Sequence, residues 1–242
     1  MRVDLHPCYL LHKKAYRETS YLLEVFSENY GRIGLVAKGA ATRKSLNRTL
    51  QPFMPLLMSW SGRGELGNLT NTEPDGVQIL LSGDKLFSGY YVNELLIRLL
   101  HRHDPHQKLF RIYQYILREI ADTTNLESVL RQFEKRLLEE LGYGLILDHE
   151  IESGNKVLPE GIYDYTAGIG PVLINSAKVK VNGIKVQGTT LLSLLSDREL
   201  KEKDARSEAK QLMRYLLTPL LGERPLQSRR IFEMMKSKEV LQ

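Results

Sequence analysis

The chain has 242 residues, 42% apolar and 26% charged, which is enough apolar side chain to bury a sizeable core and excludes a disordered polymer. One cysteine, Cys8, excludes a disulfide framework and any site built on two thiolates. No charge-free apolar run approaches the ~18 residues of a membrane span, and the first residues lack a signal-peptide pattern, so the expected setting is the cytoplasm.

The first 75 residues carry a β pattern. Short aromatic and aliphatic runs span Cys8–Tyr16 and Ser20–Phe26. The turn residues Glu28-Asn29-Tyr30-Gly31 lead into Arg32–Lys38, where Ile33, Leu35 and Ala37 share a face. Gly39–Thr49 is polar and basic and reads as a loop. Phe53–Ser61 is the next strand, Gly62-Arg63-Gly64 turns the chain, and Glu65–Thr72 is the fifth. Five short strands in this length predict a small OB-fold barrel over 1–79, ended by Glu73-Pro74-Asp75-Gly76.

From residue 80 to 242 the pattern is mainly helical. Apolar spacing predicts a helix from Asp84 to Arg102, a second along Leu109, Ile112, Tyr113, Ile116, Leu117 and Ile120, and a third capped by Asn125 and closed by Gly142. These three helices are expected to bury one another. A small β segment at about 157–188 follows, with Asn182-Gly183 as the type I′ turn of a hairpin joining Val179–Val181 to Ile184–Val186. Two or three helices finish the chain, one from about Asp204 to Leu217 and one with Ser228 as its N-cap. The class is therefore α+β, a barrel followed by a helical domain with a β insertion.

Charge is distributed unevenly. Residues 1–80 hold 10 basic and 7 acidic side chains, 81–199 hold 14 and 16, and 200–242 hold 10 and 6, within a net charge of +5. Between Glu28 and Glu65 there is no acid, while Arg32, Lys38, Arg43, Lys44, Arg48 and Arg63 are all basic. Such a stretch favours a polyanion, or is simply a basic solvated surface. On the helix from Asp204, the cations Lys203, Arg206, Lys210 and Arg214 fall on one arc, with Asp204 and Glu208 turned away; the arc is a phosphate contact or a solvated face. Arg229 adds a cation near the end. Trp60, beside the glycine-rich turn, is either a platform for a base or part of the barrel core.

Catalytic patterns are scarce. There is no phosphate-binding loop, nucleophile elbow or His-Glu-x-x-His. His101, His103, Asp104 and His106 read as turn residues rather than metal ligands. Asp148, His149, Glu150 and Glu152 leave open a metal-dependent nuclease, and the basic ends leave open a module that binds acidic proteins instead of DNA.

Residues along the whole chain then carry a resemblance: Glu18-Thr19-Ser20 before Val25-Phe26; Gly31-Arg32; Leu35-Val36-Ala37-Lys38-Gly39-Ala40; Leu50-Gln51-Pro52-Phe53; Gly62-Arg63-Gly64-Glu65; Ser88-Gly89; Asn93-Glu94-Leu95-Leu96; Leu130-Arg131 with Phe133-Glu134; Leu141-Gly142-Tyr143-Gly144; and Pro225-Leu226 with Ser228-Arg229. In order and spacing the sequence resembles the RecO family of bacterial DNA-repair and recombination mediators, in its form without a zinc site. The resemblance implies no enzymatic turnover and no cofactor. It implies binding to single- and double-stranded DNA, annealing of complementary strands, and action with RecR to help RecA load on strands coated by the single-strand-binding protein. Partners would be RecR and the acidic, Phe-ending tail of that binding protein, with RecA engaged indirectly. Lys38, Arg43, Lys44 and Arg48 would contact phosphates. Arg131, with Leu130 and Phe133, would receive the tail peptide, or Arg131 is a surface cation beside Glu127 or Glu134. Four cysteines that bind zinc in some members, in the region matching 148–175, have no counterpart here.

Overall fold

Five strands close on themselves, the first four turning apolar residues inward: β1 (Arg2–Tyr16), β2 (Ser20–Ser27), β3 (Gly31–Ala37), β4 (Pro55–Ser61) and β5 (Leu66–Pro74). The ring runs β1-β2-β3-β5-β4 and back to β1, every pairing antiparallel except β3 with β5. This is the OB-like barrel expected from the spacing. The computed structural model describes residues 2–42, 44–62, 64–175 and 182–239.

The inward set is the one that period-2 reading selects: Cys8, Leu10, Leu23, Val25, Ile33, Leu35, Leu56 and Met58 fill the barrel. Tyr9, Leu11 and Phe26, on the opposite face, are buried as well. That is why β1 and β2 read as continuous apolar runs rather than clean alternations. Their outer face is covered by α3 (Gln107–Asp122), following α2 (Gly83–Leu99), with Tyr9 5.1 Å from Tyr113 and Phe26 5.3 Å from Phe110 between ring centroids. The helical stripes were expected to bury one another. α2 and α3 do meet each other, but both also turn buried faces onto the barrel and the third expected helix belongs to a separate compact unit, because periodicity marks which face is buried and not what it meets.

A buried polar chain fixes this packing. The Asn93 amide donates to the Leu11 carbonyl (3.0 Å) and its oxygen accepts from the Tyr113 hydroxyl (2.7 Å), which joins β1, α2 and α3. Burial pushes the Tyr113 phenol well above its ordinary range, so the hydroxyl stays protonated and can donate.

Two local expectations need correction. The segment read as a loop contains a short helix, α1 (Lys44–Thr49), held because Leu46 and the fully buried Leu50 fall on one face and Leu50 N–H donates to the Leu46 carbonyl (3.0 Å). Ser228 does not cap α7 (Gln227–Glu239). The cap is the Glu94 carboxylate from α2, which accepts from the backbone N–H groups of Gln227 and Ser228 (2.8 Å each) and from the Ser228 hydroxyl (2.6 Å). A carboxylate at the positive end of a helix is the favourable placement. α7 thereby joins the barrel, α2 and α3 in one compact unit, Met1–Asp122 with Pro225–Gln242.

The other unit is Thr123–Arg224. It holds α4 (Leu126–Glu140), a sheet of β6 (Ile162–Thr166), β7 (Gly170–Leu173) and β8 (Ile184–Gln187) in the order β7-β6-β8, then α5 (Gly188–Leu195) and α6 (Lys203–Leu221). Asn125 caps α4 as expected, accepting from Ser128 N–H. The first arm of the expected 179–186 hairpin lies outside the described residues. Its second arm, β8, pairs with β6. Asn182 and Gly183 donate their N–H groups to the buried Asp164 carboxylate (2.8 and 2.9 Å). A Cβ on Gly183 would sit 2.0 Å from the Tyr165 carbonyl oxygen, so only glycine fits.

Two outcomes follow. Asn93→Ala leaves a buried carbonyl and a buried hydroxyl without their partner and should cost about 3 kcal/mol, read as a lower urea midpoint. Burial pushes the Cys8 thiol from 9.0 up to about 12. The folded state therefore favours the neutral thiol; this stability is fully present below about pH 9 and is lost as pH rises toward 12. Cys8 should resist a disulfide-exchange reagent at pH 8 and react only on unfolding.

Candidate nucleic-acid and peptide interfaces

Cations on the barrel fall into two groups. Lys38 follows the end of β3 and is exposed, and Lys44 and Arg48, one turn apart on α1, are exposed too. Ala41 N–H donates to the Thr19 carbonyl (3.0 Å), which ties the segment after β3 to the β1–β2 turn. That turn adds Arg17, whose guanidinium lies 5.1 Å from the Tyr16 ring centre. Tyr16, Arg17, Glu18, Val36 and Lys38 line an open concavity of about 700 Å³. Sequence reading had missed Arg17. The signal was an aromatic next to a cation at a turn, where Arg17 adopts φ +56. Arg43 and Arg63, two further candidates, lie outside the described residues.

Arg32 belongs to the other group. Its Nη1 donates to Glu24 Oε2 (3.1 Å) and its Nε to the Leu100 carbonyl (3.0 Å), while Arg102 takes the second Glu24 oxygen. The backbone closes the same corner, because His103 N–H donates to the Arg32 carbonyl (3.0 Å). Gly31 lies so near that a Cβ there would sit 2.0 Å from the Asp104 carbonyl oxygen. Arg32 is thus held within the fold, sharing the one Glu24 charge with Arg102, which ranks it behind the unpaired cations as a phosphate contact.

Trp60 is only 7% exposed and belongs to the barrel core. Tyr30 meets it edge-on at 5.2 Å and His6 at 6.4 Å. It therefore offers no free face for stacking, although its edge lines a cavity of about 540 Å³ with Tyr30, Gly34 and His103. Burial lowers the His6 pKa, which suits the neutral ring nitrogen that accepts from Asn29 N–H (3.2 Å).

The cationic arc of α6 is likewise divided. Arg206 Nε and Lys210 Nζ approach the two oxygens of Glu127 at 3.4 and 3.5 Å, and Arg206 also donates to the Leu200 and Lys201 carbonyls. Arg214 is exposed and forms no ion pair among the described residues, and Lys203 is exposed at the helix start. Glu208, expected to face away into solvent, instead accepts from Thr190 Oγ1 (2.7 Å) and Gln187 N–H (3.1 Å), so it anchors α5 and β8 to α6. Arg229, on α7, is half-buried.

The expected peptide site is less open than the sequence implied. Arg131 is 6% exposed and its Nη2 donates to Glu134 Oε1 (2.6 Å); Phe133 is fully buried and Leu130 half-buried. Arg131 is thus no surface cation, though its partner is one of the two acids foreseen. On the same helix Lys135 Nζ donates to the Leu194 carbonyl (2.6 Å), and Arg136 pairs with Asp197 and Glu139. Beyond it an apolar cavity of about 370 Å³ is lined by Leu138, Tyr143, Ile146, Tyr165, Ile169 and Leu216.

Among the described residues no three His, Cys, Asp or Glu side chains gather to hold a metal ion. Asp148 and His149 form an exposed pair at 2.7 Å, and the hydrogen bond from His149 lowers the Asp148 pKa. Glu150 turns inward to accept from the Ser153 hydroxyl.

Comparison with known proteins places this arrangement. The family model described as recombination protein O, N terminal, matches residues 1–76, and that described as recombination protein O, C terminal, matches 80–230. The chain belongs to the RecO family. The DNA repair protein RecO of Methylococcus capsulatus is 47% identical over 232 residues, covering 96% of this chain and 93% of the relative. Those of Nitrosospira multiformis and Nitrosococcus oceani are 42% and 44% identical over 233 and 237 residues, covering 96% and 98% of this chain and 96% and 95% of the relative. The division between the two RecO family models falls at 76–80, at the end of the barrel, whereas the compact units keep α2, α3 and α7 with it. No helix among the described residues is long and apolar enough to cross a membrane.

The two groups of cations should separate experimentally. Arg32→Gln should lower stability by about 2 kcal/mol, by removing charge-assisted bonds to Glu24 and Leu100. Lys44→Gln should leave the thermal midpoint within about 1 °C, as expected of a surface substitution. Thermal unfolding of the two variants reads the difference.

Proposed function

We propose that this RecO-family chain is a DNA-binding recombination mediator that works without turnover. It holds single- and double-stranded DNA through phosphate neutralisation, brings complementary strands close enough to anneal, and acts with RecR to help RecA load on strands covered by the single-strand-binding protein. The names of its relatives support the role in DNA repair.

One observation carries the DNA-binding part. Lys38, Lys44 and Arg48 are exposed, without ion pairs among the described residues, in a stretch from Glu28 to Glu65 that contains no acid. Uncompensated cations on a barrel rim attract a sugar–phosphate backbone without regard to sequence, because releasing counterions from the nucleic acid drives the association. Arg17 extends this set, and Arg214 and Lys203 supply a separate group on α6. Arg43, Arg63 and Arg229 are kept as contacts of second rank. Arg32 shares Glu24 with Arg102, and Arg206 and Lys210 share Glu127, so these cations rank behind the unpaired ones, and Trp60 is part of the core.

The peptide part rests on Arg131. A carboxylate at the end of an acidic, Phe-ending tail is a natural acceptor for a guanidinium in an apolar setting. Leu130 and the apolar cavity that begins at Leu138, two turns further along α4, offer surroundings for apolar side chains. Such a tail would direct the protein to coated single strands in the cytoplasm and nucleoid.

Lys38→Glu, Lys44→Glu and Arg48→Glu combined should weaken binding to all oligonucleotide sequences alike. The wild-type log–log salt slope on single strands should be about −0.7 per phosphate contacted, so three contacts give a roughly 20-fold loss between 50 and 200 mM salt. Fluorescence anisotropy at several salt concentrations measures both. A flat salt response, or a triple variant that binds as well as wild type, would overturn the reading.

A further inference from the structure

The Arg131–Glu134 pair is built in a way that a purely structural ion pair does not require. Both side chains are almost fully buried, at 7% and 1% exposure. Glu134 engages Arg131 through Nη2 alone. The adjacent Nε–H, on the same edge of the guanidinium, is buried and has no hydrogen-bond partner among the described residues. An orphaned buried donor costs free energy, and native folds seldom keep one without a reason.

Glu134 does not supply it. It lies three residues along the same helix, so its carboxylate is tethered, and it meets the guanidinium through one oxygen at Nη2. A free carboxylate has no such tether. Its two oxygens match the Nε–H and Nη2–H edge, the side-on bidentate arrangement that Arg favours.

We propose that Glu134 is a built-in competitor for Arg131: it compensates the buried guanidinium while no peptide is present, and the terminal carboxylate of an acidic peptide displaces it by taking the Nε–Nη2 edge. The inference rests on the reading of Arg131 as the peptide's receptor. Without Glu134 an empty site would hold an uncompensated buried cation, which is costly. With it, binding exchanges one carboxylate for another. Affinity is then set by the gain of a two-oxygen over a one-oxygen contact, less the cost of releasing the buried Glu134 carboxylate from its partner, and the exchange discriminates against amidated ends.

The test uses a fluorescent acidic peptide ending in Phe, with a free or an amidated C-terminus, titrated against the whole protein. Glu134→Gln keeps the shape but removes the competing charge, and should bind the free-acid peptide about tenfold more tightly than wild type, the scale of one charge-assisted hydrogen bond. Arg131→Ala should lose binding, and amidation should weaken it in wild type and Glu134→Gln alike. Equal or weaker binding by Glu134→Gln, with Arg131→Ala still defective, overturns the competitor while leaving the peptide reading intact. Arg131→Ala binding as well as wild type, or no binding by either wild type or Glu134→Gln, overturns both. Should the Glu134 variant fail to fold, nuclear magnetic resonance of the wild type decides. The Arg131 Nε–H signal, assigned by its loss in Arg131→Lys, should shift downfield when the free-acid peptide binds; an unmoved signal in the bound protein overturns the proposal.

Discussion

A cation in a folded chain is either compensated by a carboxylate or left facing water, and that partition governs where this molecule can meet a polyanion. Glu24 illustrates the first state. One carboxylate holds Arg32 and Arg102 together and closes a corner of the barrel unit. Glu127 does the same for Arg206 and Lys210 within the second unit. Of the exposed cations without a carboxylate partner among the described residues, Lys38, Lys44 and Arg48 with Arg17 gather on the barrel and Lys203 and Arg214 lie on α6, while others such as Lys14, Lys156 and Lys185 stand elsewhere on the surface. Net charge alone does not single these residues out, since the compensated and free cations contribute equally to it.

The scaffold that presents them is held by polar contacts as much as by apolar burial. Asn93 and Glu94, adjacent on α2, point their side chains at different targets. Asn93 reaches β1 and α3, and Glu94 reaches the start of α7. Both satisfy backbone groups that would otherwise be orphaned. The rigid barrel that results leaves α1 and the β1–β2 turn at its rim, where sequence-independent electrostatics operate at short range in physiological salt.

Much of this architecture was legible in the residues. Ile33, Leu35 and Ala37 marked β3 by alternation, Leu109 through Ile120 marked α3 by helical spacing, and Asn125 marked the start of α4 by its capping chemistry. Contacts between distant residues were less legible. Nothing local to Arg32 says that Glu24, across a strand pair, will claim it, or that Glu94 and not Ser228 will cap α7, 133 residues away. The wheel of α6 placed Arg206 and Lys210 on one face correctly but could not see Glu127 approaching from α4. α1 escaped because its single apolar pair, Leu46 and Leu50, is too short a pattern to rise above a basic loop.

Lysine acetylation footprinting, read by mass spectrometry with and without a single-stranded oligonucleotide, tests the central partition most directly. Bound DNA should protect Lys38 and Lys44 and leave Lys210, already held by Glu127, unchanged. Protection of Lys210 with Lys38 and Lys44 still reactive would contradict it.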